Sequence, residues 1–479
     1  MNLWKRKDEG KMKNRYTSLF FFCFFCGLFA QENKIYSFEE LKNSLKENNY
    51  QLLLLQEELF RSKLDVKDAK ANAGPIIDMQ ISWSFMQNEL VEPIYVNTKD
   101  FYENEDFDDS LLPDEFNKEY KGKEVKVFDG LDRNLYNFQL SLTQPIFTWG
   151  KITNSIKLYK QISGVKELQL LSTQEQLENE LKIRLVTLCR LYEIIDLIED
   201  AETFTNRMVE FSENAEKSGM MIHQDVVDAK VQAKQLEISK QEVNEQIKNQ
   251  LLEVQKITGL QNLNRNQIDF SVDENEILSV MALNRTEVLE NATSSQQKSI
   301  KILSQLESIN VLAEKIAKGS VNWKPDVALQ VTGGYGGSKF PLFETGWKDS
   351  DDYSFNISVG IKTTIWDGGK KVRDVSRKIS ETKTAKINQS DARAQITHTL
   401  DTQWNTVDLC TLKIDYQDLK IESAQAKIKL KENEYQNGYG TEADVLTAKI
   451  DLCNQKIEKV NQTLSRDIAC LTIKYLGQE

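Results

Sequence analysis

The chain has 479 residues, 28% of them charged, and a net charge of −12. That length exceeds one small core and suits two similar halves, and the acidic balance argues against a nucleic-acid binder, which needs a basic surface. Only 6 prolines occur, none between Pro145 and Pro325 or after Pro341. Proline removes a helix hydrogen bond and clashes with the preceding turn, so those two tracts are candidates for very long helices.

At the N-terminus, Lys5, Arg6, Lys7, Lys11, Lys13 and Arg15 precede the apolar run Leu19–Phe29, with Ala30 in position for cleavage. The run is too short to span a bilayer and has the order of a signal peptide, residues 1–30. Met12 is an alternative start, and Cys26 is a poor acylation candidate because Phe25 precedes it. Cys189, Cys410, Cys453 and Cys470 follow no disulfide or metal spacing and read as buried thiols. No later stretch is apolar for long enough to cross a bilayer as a helix, so membrane entry would need strands.

After the signal, Ser37 and Glu40 form a capping box that opens one helix running to Gly74-Pro75. The period then changes to two. Met79, Ile81, Trp83 and Phe85 share one face of a strand over 76–86, and Tyr136, Phe138, Leu140 and Leu142 share one face of a partner over 134–145. Residues 87–132 between them, with the acidic run Glu103–Asp109, read as a solvated external loop. Pro145 and Gly150 close the second strand. A helix over 151–217 follows, on the order of 100 Å at 1.5 Å per residue; then come a turn at Gly219 and a return helix over 222–258. Residues 260–281 read as a linker, polar and irregular up to Asp273.

The second half repeats this plan. GMMIHQDVVDAK at 219–230 and GYGTEADVLTAK at 438–449 align without a gap at an offset of 219 residues, and TQPIFTWGK at 143–151 aligns with KTTIWDGGK at 362–370 at the same offset. Two separated motifs in one register mark a duplicated structural unit. The second unit, 282–479, is expected to hold a helix from about Arg285 to Lys318 and strands over 326–336 and 353–365 around a loop at 337–352. A long helix over 370–435, a turn at Gly438 and a return helix over 441–476 complete it.

Strands of about ten residues with one apolar face have the length and dyad pattern of transmembrane barrel strands. Four cannot close a barrel, and an open edge is not tolerated in lipid, so other copies must complete the wall. A soluble antiparallel sheet with one wet face is the competing reading. The opening SFEELKNSLKENN, the junctions QPIFTWGK and TTIWDGGK, and the repeated Gly-x5-Asp-Val-x-x-Ala tip together resemble the TolC-type outer-membrane efflux protein family.

That resemblance implies a mainly α fold with transmembrane β: a duplicated antiparallel α-helical tunnel plus four strands per chain in a trimeric 12-stranded outer-membrane β-barrel. It implies a homotrimer in the outer membrane of a diderm bacterium, with a large periplasmic portion. It further implies a passive export conduit of a tripartite efflux or type I secretion system, opened when a periplasmic adaptor docks, with an inner-membrane pump as partner. A periplasmic coiled-coil scaffold or adaptor without a barrel is the rival reading, and a secreted enzyme with a helical stalk a third.

No catalytic constellation or cofactor loop is found, and His223 and His398 have no ligand spacing. The candidate residues lie at the tips and junctions. Gly219 and Gly438 mark turns that need a left-handed conformation, onto which adaptor docking is layered. Thr441 and Asp444 have capping-box spacing, and three symmetry-related Asp444 carboxylates near one axis would favour cations. In the family, Asp444 matches the first acidic position of the closing tip, Thr447 a place often acidic, and Tyr435 an aromatic that helps to lock the closed state. Asp225, with no Thr before it, is a candidate to pair across the tip. Pro145, Gly150, Gly368 and Gly369 mark the strand-to-helix junctions.

Overall fold

A computed structural model describes residues 35–87, 94–103, 120–128, 133–321, 323–337, 340 and 353–477. The signal peptide, Cys26, most of Glu103–Asp109 and nearly all of the 337–352 loop lie outside these residues. The chain divides into two compact units. One comprises residues up to Leu59 with Val165–Ser304 and Ile387–Glu479, and the other comprises Phe60–Gly164 with Gln305–Lys386.

In chain order, β1 (Tyr36–Ser37) leads into α1 (Phe38–Asn48) and α2 (Tyr50–Ala71), then β2 (Ile76–Phe85). The hairpin of β3 (Ile94–Asn97) and β4 (Glu124–Phe128), with the short helix α3 (Thr98–Tyr102), precedes β5 (Asn134–Phe147). The helices α4 (Lys151–Lys217) and α5 (His223–Thr258) complete the first half. The strand β6 (Ile268–Asp269) and helices α6 (Glu274–Met281), α7 (Arg285–Thr293) and α8 (Lys298–Gly319) follow. The chain ends with β7 (Asp326–Gly337), β8 (Tyr353–Lys362), α9 (Lys370–Gln436) and α10 (Glu442–Gly477). The duplication is visible in helix lengths: α2 and α8 each have 22 residues, α4 and α9 each 67, and α5 and α10 each 36. Among the described residues no helix is long and apolar enough to cross a membrane.

Four expectations about elements outside the main sheet need correction. The first helix is broken at Asn49, whose Oδ1 accepts from the amides of Gln51 and Leu52 while its Nδ2 donates to the Ile257 carbonyl at 2.8 Å. One buried side chain thus ends α1, caps α2 and ties both to the end of α5. The expected 285–318 helix is broken in the same way at Ser294, whose Oγ accepts from the amides of Gln296 and Gln297. The linker is not irregular throughout: β6 pairs in parallel with β1, placing Tyr36 opposite Ile268, and α6 follows. The 87–132 segment is not pure loop, since β3 and β4 pair within it.

The larger core of the first unit lies where α1, α2, α4 and α5 meet. Leu177, Leu181, Leu185 and Leu188 recur at helical spacing on α4 and bury against Leu41, Leu45, Leu52, Val254 and Ile257. A second core packs Ile277, Val280 and Val288 on Leu400, Trp404, Val407, Leu471 and Ile473. Ion pairs fasten α6 to both long hairpins. Glu276 accepts from Lys182 at 2.5 Å and from Lys474 at 2.7 Å.

Burial opposes the charge of Glu276, but the hydrogen bonds from those two lysines outweigh it and hold the carboxyl below the usual glutamate range. A depressed carboxyl pKa contributes stability above the unfolded value and loses it as pH falls through the folded value. Protection of α6 amides from hydrogen exchange should therefore fall as pH drops below about 4. Glu276→Gln should loosen α6 already at neutral pH. Equal protection factors at pH 7 and pH 3 would remove Glu276 from the account.

In the second unit the four main strands form one antiparallel sheet in the order β2-β5-β7-β8. Its register gathers the apolar alternation of every strand onto one face: Met79 pairs Leu140, Ile81 pairs Phe138, Phe138 pairs Tyr335, and Val331 pairs Ile357. The opposite face carries Gln80, Ser82, Asn137, Gln139, Ser141, Thr332, Asn356 and Ser358. A one-residue slip would exchange the faces entirely, so the pattern fixes the register. Pro145 does not end β5 as expected; it lies inside the strand opposite Ala328, where the register shifts. There β5 has already passed Ile76, the first residue of β2, so on that side a proline costs no hydrogen bond between strands.

Candidate functional site

The two helical tips are built by one set of bonds used twice. At the first, Gly219 has φ +76°, its amide donates to the Glu216 carbonyl at 2.9 Å, and the Met220 amide donates to Ala215 at 2.8 Å. At the second, Gly438 has φ +79°, its amide donates to Tyr435 at 3.1 Å, and the Tyr439 amide donates to Glu434 at 2.9 Å. Each pair is a Schellman closure, in which a left-handed glycine lets the last carbonyls of a helix find donors. The offset of 219 residues holds bond for bond.

The repeated lysine of the motif has a matching role. Lys230 pairs Glu213 across the first hairpin at 2.7 Å, and Lys449 pairs Glu432 across the second at 2.8 Å.

The return helices start differently. At α10 the reciprocal capping box forms: the Asp444 carboxylate accepts from the Thr441 amide at 3.0 Å and its hydroxyl at 2.7 Å, and the Asp444 amide donates to the Thr441 Oγ1. These hydrogen bonds from Thr441 hold the Asp444 carboxyl below the usual aspartate range. Among the described residues, Asp225 accepts only from the Ile222 amide at 3.4 Å. Within the chain it does not pair across the tip; it turns back on its own helix, since Ile222 offers no hydroxyl. Thr447 is exposed and donates to the Ala443 carbonyl, and Tyr435 is half-exposed. Loss of the α10 cap in Thr441→Ala should cost about 1 kcal/mol locally, seen as faster hydrogen exchange in Glu442–Leu446. Unchanged exchange there would show that packing alone holds the start of the helix.

Contacts between the tips escaped the sequence reading. Met208, Ala229 and Leu446 bury together beside Phe204 and Ala443, which seats the start of α10 against α4 and α5. On the surface beside them Arg207 donates through Nε to Glu442 at 2.6 Å. Arg207 belongs to no motif and Glu442 is not one of the repeated positions of its own motif, so only the packing of the hairpins reveals the pair.

At the junctions, Gly150 and Gly369 take φ +74° and +77°, again equivalent positions, and Gly368 takes +64°. Asp367 caps α9, accepting from the amides of Gly369 and Lys371, both at 2.9 Å. A cavity of about 350 Å³ near the α6 network is lined by Lys42, Lys182, Lys298 and Lys474. Each of these lysines is in an ion pair, with Glu178, Glu276, Glu175 and Glu276 respectively, so Lys182 and Lys474 share one carboxylate.

Residues 294–477 match the family model described as outer membrane efflux protein. By sequence, no curated protein is a significant match. Among solved structures, the outer-membrane protein VceC of Vibrio cholerae superposes with a TM-score of 0.67 at 16% identity, covering 92% of this chain and 96% of its own. The CmeC outer-membrane channel of Campylobacter jejuni gives 0.71 at 13% identity, covering 100% and 90%. The open state of the MtrE outer-membrane channel of Neisseria gonorrhoeae gives 0.62 at 11% identity, covering 92% and 88%. At these identities the likenesses speak for the fold, and the family match speaks for the second half. Residues 294–477 therefore carry an outer membrane efflux protein domain, and the chain as a whole has the fold of these outer-membrane channels.

Proposed function

We propose that three copies of the chain assemble into one passive export conduit, with twelve strands closing a barrel in the outer membrane. The observation that carries this reading is the open sheet. Among the described residues β2 and β8 each have one strand neighbour, yet their apolar side chains are exposed, Ile357 by 60% and Val359 by 62%. A bilayer covers such a face, but it does not tolerate unpaired edges; pairing β8 of one copy with β2 of the next satisfies both, and twelve is an even strand number within the known range.

The tips support docking of a periplasmic adaptor. Met220, Ile222 and Tyr439 project from the two turns, 81%, 66% and 88% exposed, and large apolar side chains left in water at helix ends suit a protein partner. The Arg207–Glu442 pair joins the hairpins but is solvent-exposed, so it is a weak tie that a docked partner can shift. Energy and cargo choice come from an inner-membrane pump in this reading, and no catalytic role is assigned to the chain. Fractionation followed by planar-bilayer recording tests it: the protein should be found in the outer membrane and give stable ion-conducting channels. Recovery in the soluble periplasmic fraction, with no conductance, would favour a scaffold without a barrel.

A further inference from the structure

The end of the sheet from which the helices leave carries charge opposite to that of the chain as a whole. In the eleven residues adjoining the sheet at each of the four crossings (65–75, 148–158, 315–325 and 363–373) there are 10 Lys and Arg against 3 Asp and Glu, in a chain of net charge −12. The segments that leave the opposite end, 86–133 and 338–352, have the reverse bias, 18 Asp and Glu against 8 Lys and Arg. The basic excess is therefore local to one rim.

Three of the 7 tryptophans stand on the same rim, one on each of three crossings: Trp149, Trp323 and Trp366. Trp323 and Trp366 are 80% and 83% exposed. Trp149 and Trp323 hold φ +53° and +68°, a conformation that bulky side chains rarely take. The Trp149 Nε1 donates to the Pro325 carbonyl at 2.9 Å, and the Lys324 ammonium lies 5.8 Å from its ring centroid. Phe147 packs edge-on to Trp149 with centroids 5.0 Å apart.

Among the described residues most of these cations have no carboxylate partner, although Lys318 pairs Glu314 at 2.6 Å and the Lys324 ammonium donates to the Lys318 carbonyl at 2.8 Å. Lys151 pairs Asp326, but no carboxylate among the described residues lies within ion-pair distance of Lys157, Lys324, Lys370 or Lys371. The Asp367 carboxylate, the acidic group nearest to Lys370 in sequence, is directed to the backbone amides of Gly369 and Lys371 instead.

We propose that this rim binds the anionic headgroups of phospholipids in the leaflet nearest the helices. Indole rings sit at the boundary between hydrocarbon and headgroup, and Lys and Arg beside that boundary attract anionic lipid. The assignment rests on the sheet lying in a bilayer, and its test separates the two ideas.

Purified protein in mixed micelles is titrated with brominated phosphatidylglycerol or brominated phosphatidylcholine while tryptophan fluorescence is followed. Phosphatidylglycerol should quench at an about threefold lower mole fraction. That preference should vanish in high salt and in the variant Lys157→Gln/Lys324→Gln/Lys370→Gln/Lys371→Gln. Equal quenching by both lipids, or a preference that survives salt, would overturn the rim assignment while leaving the sheet in lipid. No quenching by either lipid would overturn the bilayer reading itself. If the variant does not fold, the salt titration of the wild type decides alone. Loss of the preference with inorganic phosphate, beyond that with chloride at equal ionic strength, would reassign the rim to a phosphate site.

Discussion

Ile357→Arg should abolish recovery of folded protein from the outer membrane, while Ser358→Arg, one residue along the same strand, should be tolerated. Both side chains are exposed on β8, so a soluble sheet would accept either change within about 0.5 kcal/mol. The register makes them opposites. Ile357 pairs Val331 and shares the apolar face with Phe355, Val359 and Ile361, whereas Ser358 pairs Gln330 on the polar face. In a barrel the first face meets lipid, where arginine near the midplane costs about 2–4 kcal/mol per chain, and the second meets an aqueous lumen. In a trimer the cost falls on three strands at once. Heat-modifiability and protease resistance of membrane extracts provide the readout. Equal behaviour of the two variants would contradict a lipid-facing sheet.

Asp467→Ala should be the most destabilising single change in the helical unit. Asp467 is fully buried. Its carboxylate accepts from Arg190 Nε at 3.1 Å and Nη2 at 2.7 Å, and from Arg466 at 2.9 Å. Burial disfavours the Arg190 charge, but hydrogen bonds to Glu274 and Asp467 prevail and raise its pKa further. The guanidinium therefore stays charged, and no loss of this stability is expected on the alkaline side at workable pH. Removing Asp467 leaves that cation buried with only the part-exposed Glu193 and Glu274 beside it. Breaking one side of such a pair costs about 3–5 kcal/mol.

Replacing the whole pair with apolar residues, Arg190→Met with Asp467→Leu, should recover most of that loss, because the pair itself adds little over good packing. Thermal unfolding in detergent compares the three proteins. Wild-type stability in Asp467→Ala, or a double variant no better than the single, would contradict this assignment.

Period and punctuation made much of the architecture legible. Alternation at 79–85 and 136–142 gave two strands and their faces, Gly219 and Gly438 gave the turns, and the shared offset gave the duplication that the helix lengths then matched. The Thr441–Asp444 box was readable because a cap is local chemistry. The helix breaks at Asn49 and Ser294 were missed because neither is marked by proline or glycine, and each caps through contacts that periodicity does not register. The β1–β6 pairing joins residues more than two hundred positions apart and is only two residues long, too short to leave a pattern. Arg207 with Glu442, and Arg190 with Asp467, become partners only once the hairpins pack. In a chain with 28% charged residues, nothing in the sequence distinguishes them from solvated neighbours.

Strand closure by sister molecules is the claim on which the channel reading stands. Native mass spectrometry of protein extracted from the outer membrane into mild detergent tests it most directly. The account predicts a single dominant species of three chains that persists on dilution. A species of one chain, stable and folded without partners, would contradict it.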